Sequence, residues 1–309
     1  MSNGQGLQPF RSGFVSIIGR PNAGKSTLLN ALIGQKVAIV ADKPQTTHIA
    51  VQGVLTLPEA QIVFLDTPGI HRADTPLNKR MMDAVRAALE ERDLLLFVAD
   101  ATAGFADEDR AAIDLARKTS TPAILLLNKV DLLKDKAHLL PLIEQYKSGY
   151  DFAEYVPISA AKRDGLDQLK LLIVQRLPES PAYFPPDHVT DQPERYLAAE
   201  LIREKVLLAT RQEVPHAVAV MVDRWEETPR ITNIYATIRV ERPGQKAIII
   251  GSQGAMLKRI GTLARQEMER LFGIRIFLNL HVRVEPGWRG KPAFLDALDW
   301  RTMSGRSGS

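Results

Sequence analysis

Two rhythms divide the chain. Up to residue 177, short solid apolar runs alternate with stretches in which apolar residues recur every three or four positions. The runs are Phe14–Ile18, Gln61–Leu65, Asp93–Val98, Ala123–Leu127 and Tyr155–Ile158. Each is short enough to be a strand and solid enough to be buried on both faces. The periodic stretches Leu77–Arg92, Asp107–Lys118, Leu139–Gly149 and Leu166–Leu177 read as amphipathic helices. Strands alternating with helices predict an α/β domain with a mostly parallel sheet. Proline-dense Pro178–Pro186 then stops the pattern and reads as a semi-rigid connector, a proline-motif docking site being the sharper alternative.

Beyond it the rhythm changes. Pro193–Ala209 reads as a helix, and Val214–Val222 and Ile231–Val240 alternate like strands around the polar turn Glu226–Arg230. Arg242–Gln245 reads as a second turn, and Lys246–Ile250 leads into Gly251. Ala255–Ile260 and Leu263–Phe272 read as helices split at Gly261, and Ile274–Val284 as a strand. The predicted domains are therefore 1–180, a linker 181–192, a smaller α+β domain 193–290 and a tail 291–309. Polar, Gly/Ser-rich Arg301–Ser309 is expected to be disordered.

At 309 residues with 45% apolar content, two globular domains are expected. No cysteine is present, which excludes disulfides, thiolate metal sites and Cys nucleophiles and suits a reducing cytosol. Met1–Arg11 has no apolar core for a signal peptide, and no apolar run approaches a membrane span. The formal charge of +4 is uneven. Residues 1–190 hold 21 Lys+Arg against 22 Asp+Glu, a net −1; residues 191–309 hold 19 against 14, a net +5. The surplus hints at a polyanion on the C-terminal part, against the plainer reading of a solvated surface.

The chemistry sits at the ends of the predicted strands, where open α/β sheets bind ligands. Gly19-Arg20-Pro21-Asn22-Ala23-Gly24-Lys25-Ser26-Thr27 fits G-x-x-x-x-G-K-[ST] between a strand and a helix. In such a loop backbone N–H groups and the helix N-terminus face phosphate oxygens, Lys25 reaches the β- and γ-phosphates, and Ser26 binds Mg²⁺. Asp66-Thr67-Pro68-Gly69 ends the second run; Asp66 can hold Mg²⁺ through water and the Gly69 N–H can touch a γ-phosphate. Asn128-Lys129-x-Asp131 ends another. A carboxylate at Asp131 accepts from guanine N1–H and N2, a pairing adenine cannot make. The stem of Lys129 can cover the base, Asn128 can tie loops together, and Ser159-Ala160 can offer the Ala160 N–H to guanine O6.

Singly, several of these motifs are ordinary turns; in this order and spacing they describe a GTPase. The half resembles the translation-factor-related GTPases, and its Gly19–Thr27, Gln45-Thr46-Thr47, Asp66–Gly69 and Asn128–Asp131 resemble most the bacterial Era family. The resemblance implies a switch threonine on Mg²⁺, Thr47 or alternatively Thr46. His48-Ile49 departs from the basic residues expected after it. Ile70 stands where Ras-like enzymes carry a water-orienting glutamine, as Era-like proteins also have it, so slow hydrolysis is expected. Asn22 either accompanies a K⁺ ion beside the phosphates or is one of many tolerated polar residues.

In the second half, α-β-β-α-α-β with Ile250-Gly251-Ser252-Gln253-Gly254 resembles a type II KH domain. Gly251 and Gly254 let a single-stranded sugar–phosphate backbone approach, and Lys258 and Arg259 follow about one turn on. The loop lacks the basic residue many relatives carry, so binding is expected to lean on Lys246, Lys258 and Arg259. Trp288, Arg289 and Lys291 either meet RNA or pack; Trp225 and Trp300 are assigned to the core. The resemblance extends over essentially the whole chain. It implies a monomeric GTP/GDP- and Mg²⁺-dependent factor that binds 16S ribosomal RNA, assists 30S assembly and is cytoplasmic with partial peripheral membrane association. The alternatives are an RNA-binding scaffold with a structural nucleotide site, or a tRNA-modification GTPase. Relatives of the latter need a terminal Cys that this chain lacks.

Overall fold

The computed structural model describes residues 9–43, 46–70, 75–210, 214 and 218–301. The chain divides into two compact units: 1–37, 50–71 and 82–191 form the first, and 38–49, 72–81 and 192–309 the second.

The first unit carries a six-stranded sheet in the order β2-β3-β1-β4-β5-β6. Its strands are β1 (Arg11–Ile18), β2 (Val51–Thr56), β3 (Ala60–Asp66), β4 (Leu94–Asp100), β5 (Ala123–Asn128) and β6 (Glu154–Pro157). All pairings are parallel except β2–β3, where Val54 opposes Val63. Every residue of β4 and β5 is buried, as the solid apolar runs require. Helices α1 (Lys25–Ile33), α2 (Pro76–Leu89), α3 (Asp107–Ala116), α4 (Leu139–Gly149) and α5 (Leu166–Arg176) connect the strands. One core joins Ile18, Phe97, Leu125, Val85, Ile113, Tyr146 and Phe152. Strand β2 is not among the elements expected from the sequence. The proline-rich segment lies along this unit rather than free of it. Gln61 Oε1 accepts from the N–H groups of Tyr183 (2.8 Å) and Phe184 (2.9 Å), and Val54 N–H donates to Val189 O (2.8 Å).

The second unit contains α6 (Glu194–Ala209), α7 (Pro243–Ile250), α8 (Ala255–Phe272) and α9 (Pro292–Leu298). Its sheet, β7 (Ala219–Glu227), β8 (Thr232–Val240) and β9 (Ile276–Val284), is antiparallel between β7 and β8 and parallel between β8 and β9. The core of Leu201, Ile202, Ile234, Ile238, Ile260, Ala264 and Met268 lies between helices and one sheet face. Several expectations need correction. The Pro243-Gly244 turn is the first turn of α7: proline at the start of a helix loses no hydrogen bond, and Gln245 Oε1 caps by accepting from Arg242 N–H at 3.0 Å. Helix α8 runs unbroken through Gly261, where there is room for a Cβ in ordinary contact with Leu280. Strand β7 begins five residues later than expected, at Ala219 rather than Val214. The tail holds α9, whose Leu295 joins Trp288, Leu77, Met81 and Ala219 in a small core. Trp288 is fully buried and packs 5.4 Å from Phe294, which makes it a packing residue; Trp225 and Trp300 are only half-buried. The expectation for 302–309 falls outside the described residues, as do Gln45 and Pro44.

Candidate nucleotide site and nucleic-acid groove

Residues 19–24 turn the chain from β1 into α1. Gly24 adopts φ 98°, and a Cβ there would stand 2.3 Å from Asn128 Nδ2, so only glycine fits. Asn22 is also left-handed, at φ 60°, a conformation that asparagine tolerates better than most residues. Lys25 is buried, and its Nζ donates to Gly19 O (3.0 Å) and Arg20 O (2.9 Å). Burial pulls its pKa down to about 8 despite the opposing pull of Asp66. Asp66 is fully buried. Burial raises its carboxyl to about 6 against Lys25, the Ser26 hydroxyl and the Thr67 N–H. Ser26 Oγ donates to Asp66 Oδ2 at 2.6 Å, while Asp66 Oδ1 is buried without a protein partner among the described residues. An orphaned buried carboxylate oxygen beside a hydroxyl, with a lysine close by, fits a hydrated Mg²⁺ and phosphate oxygens. Thr67 Oγ1 donates to Ile17 O at 2.8 Å, fixing the next motif to β1, and a Cβ on Gly69 would lie 2.9 Å from Pro21 Cγ. The two phosphate-side motifs therefore abut.

The base side is held by Asn128. Its Nδ2 donates to Ala23 O (2.8 Å) and its Oδ1 accepts from Ala160 N–H (3.0 Å), tying the phosphate loop to the Ser159-Ala160 loop. The Ala160 N–H expected to face guanine O6 is thus already shared with Asn128. Lys129, left-handed at φ 70°, reaches Asp100 Oδ2 at 2.7 Å. Burial alone would raise Asp100, but the hydrogen bonds from Lys129 and Thr102 hold it below the usual carboxylate range. Asp131 is exposed at the rim, and Ser159 is buried, its Oγ accepting from Lys162 N–H at 3.1 Å.

The backbone of Arg20 belongs to the phosphate loop, and its side chain turns away along the same unit. Nη1 donates to Gly104 O (3.1 Å) and Asp109 Oδ2 (3.0 Å). Asp109 is fully buried, accepts also from Ala106 N–H at 3.0 Å, and faces the Tyr146 hydroxyl. This pin was not legible in the sequence, because 89 residues separate its members. Ile70 is a core residue, buried against Ile18, Met82 and Val85. Thr46 and Thr47 lie in segment 38–49, which groups with the second unit rather than with Ser26 and Asp66. There Thr46 O accepts from Arg203, and Val40 N–H donates to Glu204 Oε1 at 2.8 Å.

In the second unit Gly251 (φ 70°) and Gly254 (φ 79°) bracket Ser252 and left-handed Gln253 ahead of α8. A Cβ on Gly251 would come within 2.7 Å of Met256 Cβ. Beside this loop a groove of about 390 Å³ runs between α8 and β9, lined by Gly254, Leu257, Lys258, Gly261, Arg265 and Leu278 among others. Lys258 and Gly254 meet there; Lys246 and Arg259 do not line it. Arg265 does, and the sequence held a signal for it: it lies two turns beyond Lys258 on the same helix face.

Residues 14–129 match the family described as 50S ribosome-binding GTPase, and residues 213–289 match the KH domain family. The GTPase Era of Geobacter metallireducens is 50% identical over 94% of this chain and 98% of its own length. This chain belongs to the Era family of GTPases. The Era GTPase of Syntrophus aciditrophicus is 48% identical over 93% of the chain and 94% of its own length. Among solved structures, a single-residue variant of Aquifex aeolicus Era bound to GDP·AlF4⁻ superposes with a TM-score of 0.90 at 41% identity, over 94% of this chain and 99% of that one. An Era in complex with MgGDPNP and nucleotides 1506–1542 of 16S ribosomal RNA superposes at 0.91, with the same identity and coverage.

Proposed function

We propose that the chain is a GTP-hydrolysing switch that binds 16S ribosomal RNA through the groove beside Gly251–Gly254 and assists maturation of the small ribosomal subunit. The observation that carries this reading is one chain, an Era-family member over 94% of its length, holding both a built phosphate site and a Gly-x-x-Gly groove. Lys25, held on two carbonyls, is poised to exchange them for phosphate oxygens. Ser26 and Asp66 would hold Mg²⁺, joined by Thr47 when the switch segment closes; the ion would neutralise charge on the β- and γ-phosphates. Asn22 would hold K⁺ beside them, and Asp131 would read guanine. GTP orders 35–47 and 69–80, and this ordering exposes the RNA groove. What supports this coupling is that 38–49 and 72–81 group with the second unit: Val40 bonds to Glu204, and Leu77 and Met81 pack with Trp288. The rival reading, a scaffold in which Ile70 marks lost catalysis, loses its ground because Ile70 is a core residue.

The test pairs two variants. Asp131→Asn should weaken GTP binding and strengthen xanthosine triphosphate binding, since the amide replaces an acceptor by a donor. Gly254→Asp should abolish binding of RNA 1506–1542 while leaving nucleotide binding intact. Retained GTP preference in the first, or unaltered RNA affinity in the second, sinks the corresponding half of the reading.

A further inference from the structure

We infer that the open face of the second sheet is an additional single-stranded RNA platform, on which bases flanking those in the groove stack against Phe277 and the Arg224–Tyr235 pair. The inference rests on the RNA-binding reading above and extends it to a surface outside the groove.

Strand alternation separates two faces. Ile234, Ala236, Ile238 and Val240 of β8 point into the core, while Asn233, Tyr235 and Thr237 point away from it. On neighbouring strands the register sets Arg224 opposite Tyr235 and Phe277 opposite Asn233. The outward residues form an ordered set. Phe277 is 45% exposed and its ring lies 6.1 Å from that of Tyr235, and the Arg224 guanidinium carbon stands 4.0 Å from the Tyr235 ring centre. His281 and Arg283 continue along β9 on the same face, both exposed. The other end is closed: Arg239 pairs with Glu285 at 3.4 Å and lies 5.3 Å from Phe294 of α9.

One exposed phenylalanine needs no explanation. An exposed aromatic beside a ring-stacked arginine, with two further basic groups in line, matches how sheet surfaces bind unpaired bases: rings and guanidinium planes stack them, and cations meet the phosphates. Arg224 and Arg283 bring positive charge to this face against Asp223, which accepts from Thr237 Oγ1 at 2.6 Å, and Glu226, while residues 191–309 as a whole carry a net +5. Glu226 holds Arg224 at 3.2 Å, but both side chains are about half exposed, so a phosphate can displace the carboxylate at little cost. Position supplies the second argument. Strand β9 is one of the two sheet edges; Leu278, Asn279 and Leu280 line the groove, and Phe277, on the same side of the strand as Asn279, stands on the open face beside it. A strand leaving the groove crosses β9 directly onto this face.

The test uses the full chain and two RNAs: nucleotides 1506–1542 of 16S ribosomal RNA, followed by anisotropy, and a tetranucleotide that fills only the groove, followed by NMR titration. Phe277→Ser and Arg224→Gln should each weaken the longer RNA about tenfold and leave the tetranucleotide unchanged, with Phe277→Trp restoring affinity. Ultraviolet crosslinking of the longer RNA should label the peptide containing Phe277. The inference is overturned if both variants bind the longer RNA as the parent does, which leaves the face to a protein or to solvent. If the parent binds neither RNA, the RNA-binding reading itself falls and this one with it.

Discussion

Replacing Asp109 by Asn should separate what holds the phosphate loop from what holds the fold. The carboxylate is fully buried and the Arg20 side chain that it grips at 3.0 Å is 12% exposed. Two effects oppose each other. A hydrogen bond to a charged group contributes about 1.5–3 kcal/mol. Against it, burial raises the Asp109 pKa above its usual 3.8 in spite of Ala106 N–H, Arg20 and Tyr146, with Glu108 adding to the rise, so ionisation is net unfavourable in the fold. Ala106 N–H and Arg20 Nη1 both meet Oδ2, so asparagine keeps the size and an acceptor for both while losing the charge and the cost of ionisation, and global stability should change by less than about 1 kcal/mol. Because the folded pKa lies above the unfolded one, the parent should lose stability relative to the variant as pH rises from about 4, and the difference should level off once Asp109 is ionised. The nucleotide site should respond differently. Arg20 O is one of the two carbonyls that carry Lys25, and the pin fixes that residue's backbone. A neutral acceptor grips Arg20 less firmly than a carboxylate, and since re-ordering one freed residue costs about 1–2 kcal/mol, GDP affinity should fall by at most about 5- to 30-fold. Fluorescence titration with GDP and GTP in Mg²⁺, with turnover at saturation, should show weaker binding, a higher KM and unchanged kcat. Arg20→Ala should do the same, and the double variant should be no worse than either single one. An affinity within about twofold of the parent, or additive losses in the double variant, would refute the pin as a positioning device.

Ile70→Gln places an amide in the core beside Ile18 and Val85; it should cost about 3 kcal/mol in chemical denaturation and bring no gain in turnover per folded molecule. If K⁺ sits on Asn22, turnover should be faster in K⁺ than in Na⁺. Asn22→Gly, which keeps the φ 60° backbone, should lose that difference while retaining GDP affinity; equal rates in both salts for the parent would rule the ion out. Glu204→Ala removes the acceptor of Val40 N–H, so amide exchange at Val40 should accelerate about tenfold, and the ratio of RNA affinities between the GDP and GTP-analogue forms should move towards one. Unchanged exchange there would show that Glu204 does not hold the segment.

How much of the molecule could be read from the sequence depended on distance along the chain. The five solid strands and helix α4, with its bounds Leu139 and Gly149, were legible because their signals are local and undiluted. Strand β2 was not: Gly53 and the polar stretch before it mask an alternating pattern. Helix α7 was hidden because Pro-Gly starts turns as readily as it starts helices, and only the Gln245 cap decides. Strand β7 reads as ending at Val222 rather than Glu227 because Asp223, Arg224 and Glu226 look like a loop when the open sheet face is unknown. Motif residues such as Lys25, Asp66 and Asn128 were named by spacing. Their supports were not, since Asp109 and Tyr146 reach Arg20 only through tertiary packing.

Segments 38–49 and 72–81 flank the phosphate-side motifs in sequence, yet they group with the second unit. Helix α2 is divided between the two units after Met81. Its first residues, Leu77 and Met81, share a core with Trp288 and Leu295, and Arg80 pairs with Asp296 at 2.6 Å. At the other segment, buried Arg203 holds Thr46 O and Glu204 holds Val40 N–H, both from α6. These bonds lie within the second unit, and the charged hydrogen bond from Arg203 contributes about 1.5–3 kcal/mol to holding 38–49 there. If GTP binding changes that hold, nucleotide and RNA affinity become reciprocal: whatever RNA does to the segment returns, by linkage, as a change in GTP affinity of equal size.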